Sequence, residues 1–331
     1  MSAVTIPDMA RIVEEHGLVI IPVDLDPETM TPRIDLYERA FSPRTRLVMV
    51  AHLLGGSFDV TPYADIANAR GIPLVEDCAQ AFRGPGSWGS ERALASFFSF
   101  GSIKTSTSLG AAVAMVRDRD VLERMRTIHA TRPLQGSDAF ARKAMKYLGM
   151  QGLHSRLLYG AVAQVVSRSD GGLDGFIRRS VKGFPAGNGD LLLKHLRQRP
   201  GAAQAALLRR RLERFDSRRL DARAERGEFL QHSLRDAGFV LGRQQPNRTH
   251  WLFAISVDDP CRLIHRLRKA GFDATQGATT IGPLTPPAER NDFDPRVIRE
   301  AMSRAVFLPA YPELPRREAS RLIQSIVSAI V

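Results

Sequence analysis

Between Thr5 and Phe100 short apolar runs alternate with amphipathic helical runs, and this alternation constrains the fold more than any other feature of the chain. Pro7 suits a first helical turn, Met9, Ile12 and Val13 form an apolar stripe, and Gly17 stops the helix before a strand expected over Leu18 to Leu25. A short helix over Leu36 to Phe41 and a strand over Arg46 to Leu53 come next, then a helix begun by Thr61-Pro62 and ended by Gly71. Strands follow over Ile72 to Glu76, Ala95 to Phe100 and Ala111 to Val116. Apolar strands separated by helices call for an α/β fold, a mainly parallel sheet covered on both faces.

The pattern changes further on. Residues 1–130 read as the α/β domain, and 131–200 as a helical, loop-rich insertion with a helix expected over Ala144 to Val166. The apolar residues of that helix, Tyr147, Leu148, Leu157, Leu158 and Val162, suit packing on protein, or a membrane surface as the alternative. Residues 201–331 read as a long connecting helix, Ala202 to about Leu234, and a smaller α+β domain. That domain has a strand over Trp251 to Val257 and helices over Asp259 to Ala270 and Arg316 to Ile330.

Composition narrows the functional classes. There are 47 basic and 35 acidic side chains, a formal charge of +12, which would suit a nucleic-acid partner. The arginines from Arg209 to Arg226 nevertheless alternate with Leu208, Leu212, Phe215 and Leu220 and with acidic residues, as on a solvated amphipathic helix, so no nucleic-acid partner is expected. No apolar stretch approaches the 18 or so residues of a transmembrane span. Met1 to Asp8 show no basic region ahead of an apolar one, which makes the cytoplasm the expected location. Two cysteines, Cys78 and Cys261, make neither a disulfide framework nor a zinc module, and the eight histidines form no HxxxH or HExxH pair, so no metal site is expected. Gly84-Pro85-Gly86-Ser87-Trp88-Gly89 spells GxGxxG, but a strand rather than a helix follows, so it reads as a turn.

Two segments carry chemistry. Leu74 to Phe82 ends a buried strand with Glu76 and Asp77 and places Gln80 three residues after Asp77; Phe97 to Thr105 ends another with Ser99 and places Lys104 five residues later. Ligands of open α/β sheets bind at strand C-termini. A lysine amine, a carboxylate and a hydroxyl are what pyridoxal 5'-phosphate requires for its Schiff base, its ring nitrogen and its phosphate.

Glu76-Asp77-Cys78-Ala79-Gln80, Phe98-Ser99-Phe100 and Lys104, followed by Leu109-Gly110-Ala111-Ala112, resemble the DegT/StrS-type sugar aminotransferases of fold type I. The resemblance extends more weakly through His52-Leu53-Leu54-Gly55, the arginine-rich helix and Phe307-Leu308-Pro309-Ala310-Tyr311-Pro312. It implies the fold type I large domain, N-terminally incomplete, with a smaller C-terminal α+β domain. It implies a homodimer that takes an amino group, commonly from glutamate, to a keto-sugar in polysaccharide or secondary-metabolite assembly. By position, Lys104 would be the Schiff-base lysine and proton carrier, Asp77 the partner of the ring nitrogen, Gln80 a neighbour of the ring hydroxyl and Ser99 a phosphate ligand. His52 would face the ring or be satisfied within the fold; Asn188 and Arg199 are candidate phosphate donors to a second subunit. Relatives that carry histidine in place of the lysine dehydrate sugars, so Lys104 points to transamination. The family also has an S-G-T element in a segment ahead of the part resembling Ser2-Ala3-Val4-Thr5, and no S-G-T follows here; the alternative expectation is a non-catalytic remnant serving as a binding or regulatory protein.

Overall fold

The structure, a computed structural model, describes residues 1–152, 189–276 and 281–330. The described elements are β1 (Val4–Thr5), α1 (Pro7–Glu14), α2 (Ile34–Arg39), β2 (Val48–Ala51), α3 (Thr61–Asn68), β3 (Leu74–Asp77), β4 (Ala95–Phe100) and β5 (Ala111–Val116). They continue with α4 (Arg119–Ala130), α5 (Ser137–Gly152), α6 (Gly189–Leu196), α7 (Ala202–Glu213), α8 (Arg218–Ser233), β6 (Phe239–Val240), β7 (Phe253–Ser256) and α9 (Pro260–Lys269). The last are β8 (Gly282–Pro283), a 3₁₀ turn (Ala288–Phe293), α10 (Arg296–Ser303), β9 (Ala305–Leu308) and α11 (Arg316–Ile330).

The chain divides into two compact units: one takes residues 1–98, 114–117 and 216–331, the other 99–113 and 118–215. The main sheet has the order β2-β3-β4-β5, with β2, β3 and β4 parallel. In the first unit, Val48, Val50 and Leu74 pack against Tyr63, Ala64 and Ala67 of α3. α3 starts at Thr61-Pro62, where the missing proline N–H is not needed, and Gly71 takes φ +66° just after it. A three-stranded antiparallel sheet, β6-β7-β9, lies under α9 and α11. Ala319, Leu322, Ile326 and Ala329 recur at helical spacing on α11 and bury against it, each large side chain contributing about 1.5–3 kcal/mol.

Two expected elements differ. Leu18 to Leu25 forms no strand, only single bridges from Val23 to Ser2 and from Leu25 to Pro32. Pro22 removes a ladder donor inside the run, and Leu18 and Val19 stay exposed, so the run has neither the hydrogen bonds nor the burial of a central strand. The expected single helix from Ala202 to Leu234 is two, α7 and α8, broken where Asp216 Oδ1 accepts the Arg218 N–H and offers the backbone a turn instead. Of the helix expected over Ala144 to Val166, the part to Gly152 belongs to α5; Leu157, Leu158 and Val162 lie outside the described residues.

A carboxylate expected inside the Leu18 to Leu25 strand, Asp24, has a structural task instead. Asp24 is 4% exposed and accepts the N–H groups of Val297 and Ile298 at 3.0 Å each, capping the first turn of α10. The residue before that helix is Pro295, whose side chain has no acceptor, so the cap comes from the other end of the sequence.

Candidate active site

Strand β3 brings an acid into the core. Glu76 is 2% exposed, and its two oxygens accept three hydrogen bonds: His52 Nε2 at 2.9 Å, Ser96 Oγ at 2.6 Å and Ser90 N at 2.8 Å. Register explains the set, because Glu76 stands between Val50 of β2 and Ser96 of β4. Burial by itself would raise the carboxyl's pKa, but the bonds from His52, Ser96 and Ser90 outweigh it and hold the group below its ordinary value. His52 Nδ1 accepts the Phe58 N–H at 3.4 Å, which puts the ring proton on Nε2, facing Glu76.

The neighbouring turn is built on the same strand ends. His52 N–H donates to the Asp77 carbonyl at 2.9 Å and Cys78 N–H to the Phe97 carbonyl at 2.9 Å, so the ladder runs one residue past β2 and β3. Asp77 is half-buried at the end of β3, and its Oδ1 accepts the Ala79 N–H at 2.9 Å, turning the chain out of the sheet. Gln80 Oε1 accepts the Leu54 N–H at 2.8 Å. That bond holds Leu54 in the left-handed region at φ +58°, an unfavourable conformation for a leucine, and Gly55 follows at φ +88°. A Cβ on Gly55 would overlap Trp251 and Thr249, so glycine is required twice over.

In the second unit, Ser99 and Lys104 flank Gly101: a Cβ there would stand 3.6 Å from Ser99 Oγ and 3.8 Å from Lys104 Cγ. Lys104 N–H donates to the Gly101 carbonyl at 3.0 Å. The Phe100 carbonyl then receives Ser108 N–H at 2.9 Å and Gly110 N–H at 3.1 Å, closing the segment that carries Lys104 into a loop. Two non-glycine residues of this loop, Ser106 at φ +55° and Leu109 at φ +64°, lie in the left-handed region. Ser108 is fully buried, and its carbonyl accepts Gln204 Nε2 of α7 at 3.2 Å.

Of the residues singled out in the sequence, the first unit thus joins His52, Asp77 and Gln80 around one pair of strand ends, and the second joins Ser99 and Lys104. Arg199 donates to the Arg132 carbonyl at 2.8 Å, whereas Asn188 lies outside the described residues. The metal-capable atoms of His52, Glu76 and Cys78 lie within 4.8 Å of one another, but imidazole and carboxylate already bond each other, and burial pushes the thiol far up from its usual range. The glycines of the GxGxxG string form a turn, Gly84, Gly86 and Gly89 at φ +121°, +98° and +83°, and a Cβ on Gly89 would overlap Ser96. Sequence reasoning gave Glu76 no role of its own and passed over Ser90 and Ser96. The available signal was an acid flanked by Leu74 and Val75 on a strand buried on both faces, where a carboxylate needs donors.

The strand ends of the parallel sheet carry a carboxylate in the first unit and a hydroxyl and a lysine in the second, and a smaller antiparallel sheet follows in the chain. Solved structures share that fold. The aminotransferase TlmJ from Streptoalloteichus hindustanus superposes with a TM-score of 0.67 at 18% identity, covering 99% of this chain and 77% of that one. The Escherichia coli GDP-4-keto-6-deoxy-D-mannose-3-dehydratase with bound hydrated PLP gives 0.66 at 15% identity, over 98% of this chain and 78% of that one. Residues 1–158 match the model of the DegT/DnrJ/EryC1/StrS aminotransferase family. Among characterised relatives, the dTDP-3-amino-3,4,6-trideoxy-alpha-D-glucose transaminase of Micromonospora megalomicea subsp. nigra is 26% identical over 330 residues, 96% of this chain and 75% of the relative.

Proposed function

We propose that this chain is a pyridoxal phosphate-dependent transaminase that delivers an amino group to a keto-sugar, with Lys104 as the residue that carries the cofactor and the proton. The observation behind this reading is the placement of Lys104 and Ser99 on one side of Gly101, in a loop with two left-handed non-glycine residues directly after β4. Strained backbone of this kind persists where a side chain must be aimed. The donor set fits the cofactor: a primary amine, a hydroxyl two residues ahead of a glycine with no side chain to fill the space, and a half-buried carboxylate on β3. When bound, pyridoxal phosphate supplies the carbonyl that takes up the amino group and the ring that delocalises the electrons left on carbon.

The protein's part is to hold and move protons. Lys104 would hold the cofactor through its side-chain amine, and that amine, once free, would hold and move a proton. The Asp77 carboxylate would keep the ring nitrogen protonated, and Ser99 Oγ would donate to the phosphate. Gln80, already tied to Leu54 N–H, would lie beside the ring hydroxyl. His52 would act through position, since both ring nitrogens are engaged within the first unit. The donor leaves as a keto acid, and the sugar carbonyl oxygen leaves as water when the amine is delivered. A sugar acceptor is supported by the relative from Micromonospora megalomicea, whose name is that of an aminosugar transaminase. A homodimer and a cytoplasmic location accompany the reading; among the described residues no helix is long and apolar enough to cross a membrane.

The test is visible absorption of the purified chain after addition of pyridoxal phosphate and removal of excess, with borohydride reduction and peptide mapping. The expected result is a single reduced adduct on Lys104 that Lys104→Ala abolishes. An adduct on another lysine, or none, refutes the assignment.

A further inference from the structure

The first unit contains a cavity of about 450 Å³ whose lining includes none of His52, Asp77, Gln80, Ser99 or Lys104. Its volume is that of a small-molecule site. The wall comes from α8, which supplies Asp221 and Glu228, and from the segment before β7, which supplies Arg243, Arg248 and His250; Arg83 completes it.

One charge in this wall is uncompensated. Arg248 is 8% exposed, yet among the described residues its guanidinium meets only neutral acceptors, Gln231 Oε1 at 2.6 Å and the Leu241 carbonyl at 3.0 Å. Its Nε is buried without a partner, as is Nδ1 of His250, which is 2% exposed. Burial lowers the pKa of Arg248 to about 10, and burial with the nearby charges of Arg248 and Arg223 lowers that of His250 to about 3, so the imidazole is neutral. A desolvated cation with no anion beside it is the most unfavourable arrangement a protein interior can hold, and an incoming oxyanion relieves it. Arg243 has its own partner in Glu28, whereas Arg83 is exposed and makes no ion pair among the described residues. Asp221 and Glu228 likewise make none there and remain available to a cation.

We infer that this cavity, whose lining includes neither Lys104 nor Ser99, is a second ligand site for a small molecule carrying both an oxyanion and a primary ammonium group, with Arg248 and Arg83 taking the oxyanion and Asp221 and Glu228 the ammonium. An α-amino acid and an aminosugar phosphate share that chemistry. Guanidinium groups bind carboxylate and phosphate through paired N–H donors, and carboxylates lining the same cavity select the amine. This assignment does not rest on the reading of Lys104.

The experiment is titration calorimetry on the protein carrying pyridoxal phosphate, with L-glutamate and D-glucosamine 6-phosphate as probes and glutarate and D-glucose 6-phosphate as amine-free controls. Saturable binding of one probe is expected to persist in Lys104→Ala, at least tenfold weaker for its amine-free control. Arg83→Gln and Asp221→Asn, both at exposed side chains, should each weaken it tenfold or more, and Arg248→Gln should abolish it. The probe that binds decides between amino acid and aminosugar phosphate. Binding of neither probe, binding indifferent to Arg83→Gln and Asp221→Asn, or binding lost in Lys104→Ala alone would overturn the inference, whatever becomes of Arg248→Gln.

Discussion

Glu76→Gln changes one atom and no volume, and its cost follows from the three donors that converge on the native carboxylate. The glutamine oxygen can stand where Oε2 stood and accept from Ser90 N and Ser96 Oγ. Its NH₂ group then meets His52 Nε2–H, donor against donor. Moving the ring proton to Nδ1 does not help, because Phe58 N–H already points there. One charge-assisted bond is lost either way, about 1.5–3 kcal/mol. Glu76→Ala strips the acceptor from all three buried donors, and breaking a buried pair on one side costs about 3–5 kcal/mol. Urea unfolding followed by circular dichroism reads both as a lower midpoint at unchanged slope. The pH dependence has a fixed sign. The folded pKa of Glu76 lies below its ordinary value, so this stabilisation is complete above the unfolded pKa of about 4.3 and is lost as pH falls through the folded one. The glutamine variant should lack that acid limb. A Glu76→Gln protein within about 0.5 kcal/mol of wild type would refute the account, since that is the range of an indifferent surface change.

Asp77→Asn should leave bound cofactor in place and slow turnover by an order of magnitude or more, measured by single-turnover absorbance; equal rates would remove Asp77 from the ring nitrogen. Asp24→Ala should destabilise by at least about 1–2 kcal/mol through loss of the α10 cap, read by urea midpoint, with no change in cofactor binding. A disulfide-exchange reagent should titrate one thiol in the native protein, the exposed Cys261, and two in denaturant, because Cys78 is buried and its thiol is held protonated. Two fast-reacting thiols in the native protein would contradict that burial.

Local signals carried much of the fold. β4 and β5 occupy the residues their apolar runs mark, and α11 spans Arg316–Ile330 as its spacing indicates. Where the sequence misled, the deciding partner was distant or the local chemistry subtle. An apolar run reads as a strand at Leu18 to Leu25, yet Pro22 and the solvent around Val19 deny it a ladder. The arginine-rich periodicity runs unbroken through Phe215, and a single aspartate turn at Asp216 divides it. The candidate residues were named from residue type and spacing read together with the family resemblance. Their supports were not: that Gln80 secures Leu54 and that Glu76 gathers His52, Ser90 and Ser96 depends on strand register, which no periodicity specifies.

The cap on α10 bears on how the chain is made. Asp24 and its two amide partners stand 273 and 274 residues apart, and β1 pairs with β8 across a comparable interval. At the usual pace of synthesis, ~5–20 residues per second, Asp24 waits roughly 15–55 s for Val297 to be synthesised. For that time the apolar residues Ala3, Val4 and Leu25, which end up in one core cluster with Ile298 and Phe307, lack those two partners. These N-terminal residues are therefore open to chaperones and to aggregation while the rest of the chain is made, and slowing translation should lower the yield of folded protein.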